Sequence, residues 1–201
     1  MHPAFTITIL AALASASVTS PIEGFEVQEA SWAIEIEASK PPVIFNGTVE
    51  QVMAQLEVDY PETAALAVNN VLSVATASAK TSAIASNGLT KRDHTICLNF
   101  PRAEVRYIDD GINYLRGVPG RPWLPAGPRV CARVSCSYNA AIWWCNDNNW
   151  RVDLGSYSDI ANAARLITDE CKYFTYSAGW VTSGQRFHND NLNVIVRGDS
   201  C

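Results

Sequence analysis

All six cysteines of this 201-residue chain lie on one side of the dibasic pair Lys91-Arg92, at positions 97, 131, 136, 145, 171 and 201, and none precedes it. An even set of thiols crowded into one part of a chain points to a disulfide framework built in an oxidising compartment and confined to that part. The stretch beyond Arg92 is long enough to form one core, to which the bridges add margin.

The far N-terminus supplies the route to such a compartment. An apolar run from Phe5 to Val18, broken only by small hydroxyl residues, follows a short stretch without acids. It is shorter than the roughly 20 apolar residues needed to span a bilayer, so it reads as a secretory signal and not a membrane anchor. Ala14-Ser15-Ala16 gives the small-x-small pattern of signal peptidase, which assigns residues 1–16 to the signal peptide and the product to the extracellular space. Charge divides at the same dibasic pair: residues 17–92 hold 4 Lys/Arg against 9 Asp/Glu, while residues 93–201 hold 11 of each. A nearly neutral domain argues against a nucleic-acid partner, whose phosphates demand a surplus of Lys and Arg. It leaves room for a local basic patch.

Residues 17–92 read as a pro-region. From Phe25 to Ile36 apolar and acidic residues alternate with the period of a half-buried strand. Thr48 caps a short helix whose apolar face is Val52, Met53, Leu56 and Val58, and Pro61 ends it. Asn46-Gly47-Thr48 is a glycosylation sequon, with Asn46 as acceptor. Residues 73–90 are dominated by Ser, Ala, Thr and Asn, a composition expected to remain a linker open to proteases. A kexin-type protease acting at Lys91 and Arg92 would start the mature chain, residues 93–201, at Asp93.

Within residues 93–201 the spacing predicts a helix opening at Pro101, with Val105, Ile108, Ile112 and Leu115 on one face and Gly111 as a weak point. A second helix follows Ser156, which pairs with Asp159 as a cap and directs Ile160, Ala163, Ala164, Ile167 and Cys171 inward. Val130–Ser137 and Ala141–Asn146 form a hairpin about Tyr138-Asn139 that sets Cys136 facing Cys145. Val181–Phe187 and Leu192–Arg197 form another about His188-Asn189-Asp190-Asn191, with Leu192, Val194 and Val196 on one face. The expected fold class is α+β: a small disulfide-stabilised α/β sandwich with a four-stranded, mainly antiparallel sheet and both helices on one side.

Candidate functional residues cluster first in the stretch from Arg116 to Arg129. Pro119, Pro122, Pro125 and Pro128 recur at every third residue, the repeat of a polyproline II helix, and would either make a rigid connector whose tryptophan plugs the sheet or stiffen a loop presenting Arg116, Arg121, Arg129 and Trp123 to a partner. Trp143 and Trp144 must point to opposite faces of their strand, one into the core and the other either over the neighbouring disulfide or onto a sugar-stacking or partner-anchoring surface. Asn146–Asn149 makes a polar turn with too few ligands for calcium. Enzymatic material is thin: His94 and His188, with Glu104 or Glu170 and an arginine, would be the acid-base groups of a small ribonuclease. Cysteines with disulfide roles and no Cys-x2-Cys spacing leave no metal site, and no cofactor motif is present.

From Gly111 to Cys201 the chain resembles the type-four viral killer toxin of smut fungi and related secreted proteins of filamentous fungi. Gly111-Ile112-Asn113 is similar to that family's opening motif and Arg129-Val130-Cys131 to its basic residue-Val-Cys. Ser183-Gly184-Gln185, Asn193-Val194 and Asp199-Ser200-Cys201 are similar to its closing hairpin. Tyr114 stands where the toxin has cysteine, and the long front segment has no counterpart there. The resemblance implies an α/β sandwich with several disulfides, here Cys131–Cys201, Cys97–Cys171 and Cys136–Cys145. It also implies an activity, interference with calcium uptake by an exposed basic residue beside the strand cysteine, a place Arg129 occupies. The expected product is therefore a secreted, non-enzymatic, toxin-like or effector-like binder of a cell-surface or membrane-protein target. The alternatives are a small ribonuclease or other hydrolase, and a wall-associated carbohydrate binder using Trp123 or Trp150.

Overall fold

A computed structural model describes residues 18–78 and 93–201. The expected signal peptide, residues 1–16, and the expected processing pair Lys91-Arg92 lie outside the described residues. In the front segment the chain forms β1 (Glu26–Val27), β2 (Ser31–Ile34), β3 (Val43–Asn46), α1 (Val49–Asp59) and α2 (Pro61–Ser78). After Asp93 come β4 (His94–Cys97), β5 (Ala103–Glu104), α3 (Val105–Gly117), β6 (Arg121–Leu124), β7 (Val130–Ser137) and β8 (Ala140–Asn146). The rest is β9 (Val152–Asp153), α4 (Tyr157–Cys171), β10 (Tyr173–Thr175), β11 (Gly179–Thr182), β12 (Gly184–Phe187) and β13 (Leu192–Gly198). None of the described helices is long and apolar enough to cross a membrane.

The protein is a mixed α+β fold braced by three disulfides, but its strands do not make a single four-stranded sheet. They make a six-stranded sheet (β1-β7-β8-β13-β12-β4), a four-stranded sheet (β3-β2-β6-β9) and a three-stranded sheet (β10-β11-β5). The expected four strands are the middle of the first, in the order β7-β8-β13-β12. That sheet grows at one edge by β4 and at the other by β1, which pairs in parallel with β7. The segment read as one strand from Val181 to Phe187 is two, because the chain leaves the three-stranded sheet and enters the six-stranded one at the buried Ser183.

The front segment is part of the body. The Phe25–Ile36 stretch is divided between sheets: β1 borders β7, and β2 lies at the centre of the four-stranded sheet between β3 and β6. Trp32, Ile34, Val49, Val52 and Leu56 share one continuous core with Ile112, Leu115, Leu124, Tyr157 and Ile160. Thr48 caps α1 as expected, with its N–H donating to Gln51 Oε1 at 2.8 Å. Pro61 ends that helix but opens α2 at its first position, where a proline needs no hydrogen-bond donor. The helix continues through Ser78, into a stretch whose composition read as linker. Its Ala-rich sequence is good helix material once Val71 and Ala67 lie against Gly117 of α3.

Two further readings need correction. The helix expected to open at Pro101 starts at Val105, because Ala103 and Glu104 pair with Thr182 and Val181 as β5. Gly111 is not a weak point in that helix but the place where it touches the sheet: a Cβ there would collide with Ser135 Oγ and crowd Ile142. The helix after Ser156 is as read. Ser156 Oγ accepts from Ser158 N–H at 3.0 Å, and Ile160, Ala163, Ala164, Ile167 and Cys171 are buried.

Of the bridges, Cys97–Cys171 is as the family resemblance implies, but the others exchange partners: Cys131 joins Cys145, and Cys136 joins Cys201. The cause is register. The tight Tyr138-Asn139 turn places Cys136 opposite Ala141, so Cys136 cannot face Cys145. A bulge between Arg133 and Ser135 then slips the pairing by one residue, setting Cys131 directly opposite Cys145 with Cα atoms 4.0 Å apart. Trp144 faces the main core, while Trp143 packs on the other side of the sheet with Cys131, Cys145 and Ile195, and its Nε1–H donates to Asp199 Oδ2 at 3.0 Å.

Candidate functional site

The candidate site is the corner that carries Arg129. After the cis Gly127–Pro128 bond, Arg129 holds a left-handed backbone at φ 72 and is exposed. An L-residue with a Cβ pays roughly 1 kcal/mol or more to sit there, and only surroundings that fix the chain on both sides keep it so. Those surroundings are present. Arg129 N–H donates to Asn146 O at 3.1 Å, Gly127 N–H donates to Asn148 O at 2.8 Å, and Arg129 O accepts from Glu26 N–H at 2.8 Å. A side chain at Gly127 would strike the Asn146 and Asn148 carbonyls, which explains glycine at that position.

Beneath the corner lies a network of buried amides. Asn146, fully buried, donates to Pro125 O and Trp150 O, both at 2.9 Å, and its Oδ1 accepts from the backbone N–H of Asn148 at 2.9 Å. Asn148 donates to Asp190 O at 2.8 Å and its Oδ1 accepts from Asn191 at 3.2 Å. Asn193 donates to Asp147 Oδ2 at 2.9 Å and accepts from Gln185 at 3.0 Å. The polar Asn146–Asn149 turn and the His188–Asn191 turn are thus one hydrogen-bonded unit, in which each buried amide finds a partner. Burial raises the pKa of Asp147 above the ordinary carboxylate value, against the opposing pull of the Asn193 amide and the Arg129 guanidinium.

The other residues of the proline-rich stretch go elsewhere. Residues 121–124 form β6, a sheet strand between β2 and β9 and not a free polyproline edge, and Pro122 is buried opposite Trp32. Alternation leaves Arg121 and Trp123 together on the outward face. Trp123 is half-buried under Arg151, whose guanidinium sits 4.4 Å from the ring centroid and is held by Asp153 at 2.9 Å. The same face carries exposed Asn46, hydrogen-bonded by Ser31 at 2.9 Å and two strands away from Trp123. Arg116 belongs to the helices, donating to Asn162 at 2.9 Å. Arg129, the pair Arg121 and Trp123, and Arg116 are therefore three separate places.

Both histidines lie at one end of the β12–β4 pair. His94 stacks on Phe187 with ring centroids 4.8 Å apart, and His188 Nδ1 is 3.7 Å from Asp93 Oδ2. In the neighbouring register Arg186, 6% exposed, contacts Thr95 at 2.9 Å and Glu170 at 3.3 Å, and its Nε has no hydrogen-bond partner. Glu104 is apart from them, paired with Arg106.

One surface escaped the sequence reading. On the β10–β11 hairpin Phe174 lies directly across from Trp180, each more than half exposed, and Tyr176 projects fully from the turn. Phe174 meets Tyr176 and Trp180 edge to face. The signal was the density of aromatics from Tyr173 to Trp180 around the Ser177-Ala178-Gly179 turn.

Comparison of the chain with protein-family models, with characterised proteins and with solved structures finds no significant match.

Proposed function

We propose that this is a secreted, non-enzymatic fungal protein, toxin-like or effector-like, that binds a cell-surface target, with Arg129 at the centre of the contact. The observation that carries the reading is the left-handed backbone of Arg129. Glycine would take that conformation without strain, so a long cationic side chain held there by bonds on both flanks is a cost offset by use. Its position two residues before the bridged Cys131 agrees with the killer-toxin resemblance, in which an exposed basic residue beside the strand cysteine acts on a target linked to ion uptake. A guanidinium on a pre-set corner engages an acidic partner with little ordering cost. Export and cleavage at Lys91-Arg92 by a kexin-type protease belong to the same reading.

The test compares Arg129→Glu with Arg121→Glu, both checked for intact fold by circular dichroism, for growth inhibition of susceptible fungal cells and binding to their surface. Arg129→Glu is expected to remove both effects and Arg121→Glu to weaken them at most. Full activity in the Arg129 variant overturns the assignment.

A ribonuclease is the second reading, favoured by the gathering of His94, His188, Asp93 and the Arg186–Glu170 pair at one sheet end. RNA cleavage by the purified protein that disappears in His188→Ala would establish it in place of the binder.

A further inference from the structure

We infer that cleavage between the two described segments does not release the front one: residues 18–78 stay bound to residues 93–201, and the processed protein is a two-chain body whose Arg129 corner is shared by both chains. The inference rests on the processing proposed above and states what that processing produces.

Among the contacts that cross between the segments, four would each leave a buried group exposed or unpaired on separation. In the four-stranded sheet, β2 supplies the strand between β3 and β6, so its removal strips β6 of a partner along Arg121–Trp123. Trp32, with no exposed surface, stacks on Tyr157 with ring centroids 3.8 Å apart, and Tyr157 O–H donates to Ser31 O at 2.9 Å. From α1, the Glu50 carboxylate accepts from Ser135 Oγ at 2.6 Å and from Cys136 N–H at 3.1 Å. At the outer edge, Glu26 N–H donates to Arg129 O and Gln28 N–H to Cys131 O, both at 2.8 Å, so the front segment covers the start of β7 and one side of the candidate site.

Nothing covalent crosses with them. All three disulfides join cysteines within residues 93–201. Retention therefore rests on strand pairing, hydrogen bonds and the shared core, which resembles a domain core cut in two, the character of obligate interfaces. A discarded pro-region would be expected to cap the surface it leaves. This one supplies the interior.

The experiment uses the full chain with a recognition sequence for a site-specific protease placed between Ser78 and Asp93. After complete scission, native gel filtration should give one peak containing both fragments. Denaturing electrophoresis without reductant should separate them, since no bridge joins them. Tyr157→Phe, which removes one cross-segment hydrogen bond and little else, should raise dissociation on dilution by about tenfold. Separate elution of the two fragments at micromolar concentration overturns the inference. N-terminal sequencing of the naturally secreted protein reads the processing independently: a single uncut chain would refute cleavage at Lys91-Arg92 while the engineered cut still decides retention.

Discussion

The ring of Trp32 lies flat against that of Tyr157, centroids 3.8 Å apart and planes 13° from parallel, and its Nε1–H donates to Gly47 O at 2.8 Å. This stack joins a strand near the start of the chain to the first turn of α4, and both side chains are buried. Trp32→Ala removes the largest front-segment side chain from the core and strands the Gly47 carbonyl. It should lower stability by about 4 kcal/mol in denaturant titration. A loss below about 1 kcal/mol would mean the front segment is dispensable to the core.

Gly111→Ala should destabilise the protein by about 2 kcal/mol, the reverse of the gain expected when glycine is replaced in an open helix. The added methyl meets Ser135 Oγ and lies 3.3 Å from Ile142 Cδ1, so either Ser135 turns away from its bond to Glu50 or α3 shifts from the sheet. A raised melting temperature would show that the helix is not seated as described.

At Arg129 the expected sign is opposite. Arg129→Gly relieves the left-handed backbone and should gain about 1 kcal/mol, seen as a higher denaturation midpoint, while target binding falls. Loss of stability with binding retained would contradict the reading of the corner.

Asp147 gives a pH dependence. Its pKa in the folded protein is raised by burial, so the folded state holds its proton more tightly than the unfolded chain does. The stability this proton contributes is full below the unfolded carboxylate value of about 3.9 and is lost as pH rises through the higher folded value. Asp147→Asn keeps an oxygen to accept from Asn193 and removes the charge. The variant should therefore gain on the wild type as pH rises above about 4, in melting temperatures measured across pH. An unchanging difference between the two proteins would contradict it.

The bridge assignment has a direct chemical readout. Trypsin cuts after Arg129, Arg133, Arg151 and Arg197, so the unreduced protein should yield one species joining residues 130–133, 134–151 and 198–201. Residues 130–133 joined directly to 198–201 would restore the Cys131–Cys201 pairing. Replacing Cys97 and Cys171 by serine, which opens a loop with a sequence separation of 74, should cost about 4 kcal/mol.

What could be read from residue order alone follows a simple division. Elements whose signals are local were legible: α4 from its Ser156 cap and its 3.6-residue stripe, α1 from Thr48, and the β7–β8 and β12–β13 hairpins from their turns. What depends on partners distant in sequence was not. Ala103 and Glu104 look like the start of a helix until Thr182 and Val181 are there to pair with them. The Pro119–Pro128 repeat reads as a free edge until Trp32 is opposite Pro122. The bulge at Val134 leaves no mark in composition, yet it decides which cysteines meet. The role of Gly111 as a contact point could not be seen without Ser135 above it. Of the site, Arg129 was legible as a basic residue before a strand cysteine, whereas its left-handed backbone arises from bonds to Asn146 and Glu26 that only the fold supplies.

The aromatic hairpin is anchored at both ends of its root. Cys171, immediately ahead of β10, is bridged to Cys97 on β4, and β11 passes through buried Ser183 straight into β12. Gly184, on the far side of that junction, lies so close to Ile96 O and Cys171 Sγ that no side chain fits. The root of the hairpin is therefore held at both ends, and Phe174, Tyr176 and Trp180 project from that anchored base. A partner landing on them meets a backbone already set in place, so the ordering left to the protein is that of the three side chains alone.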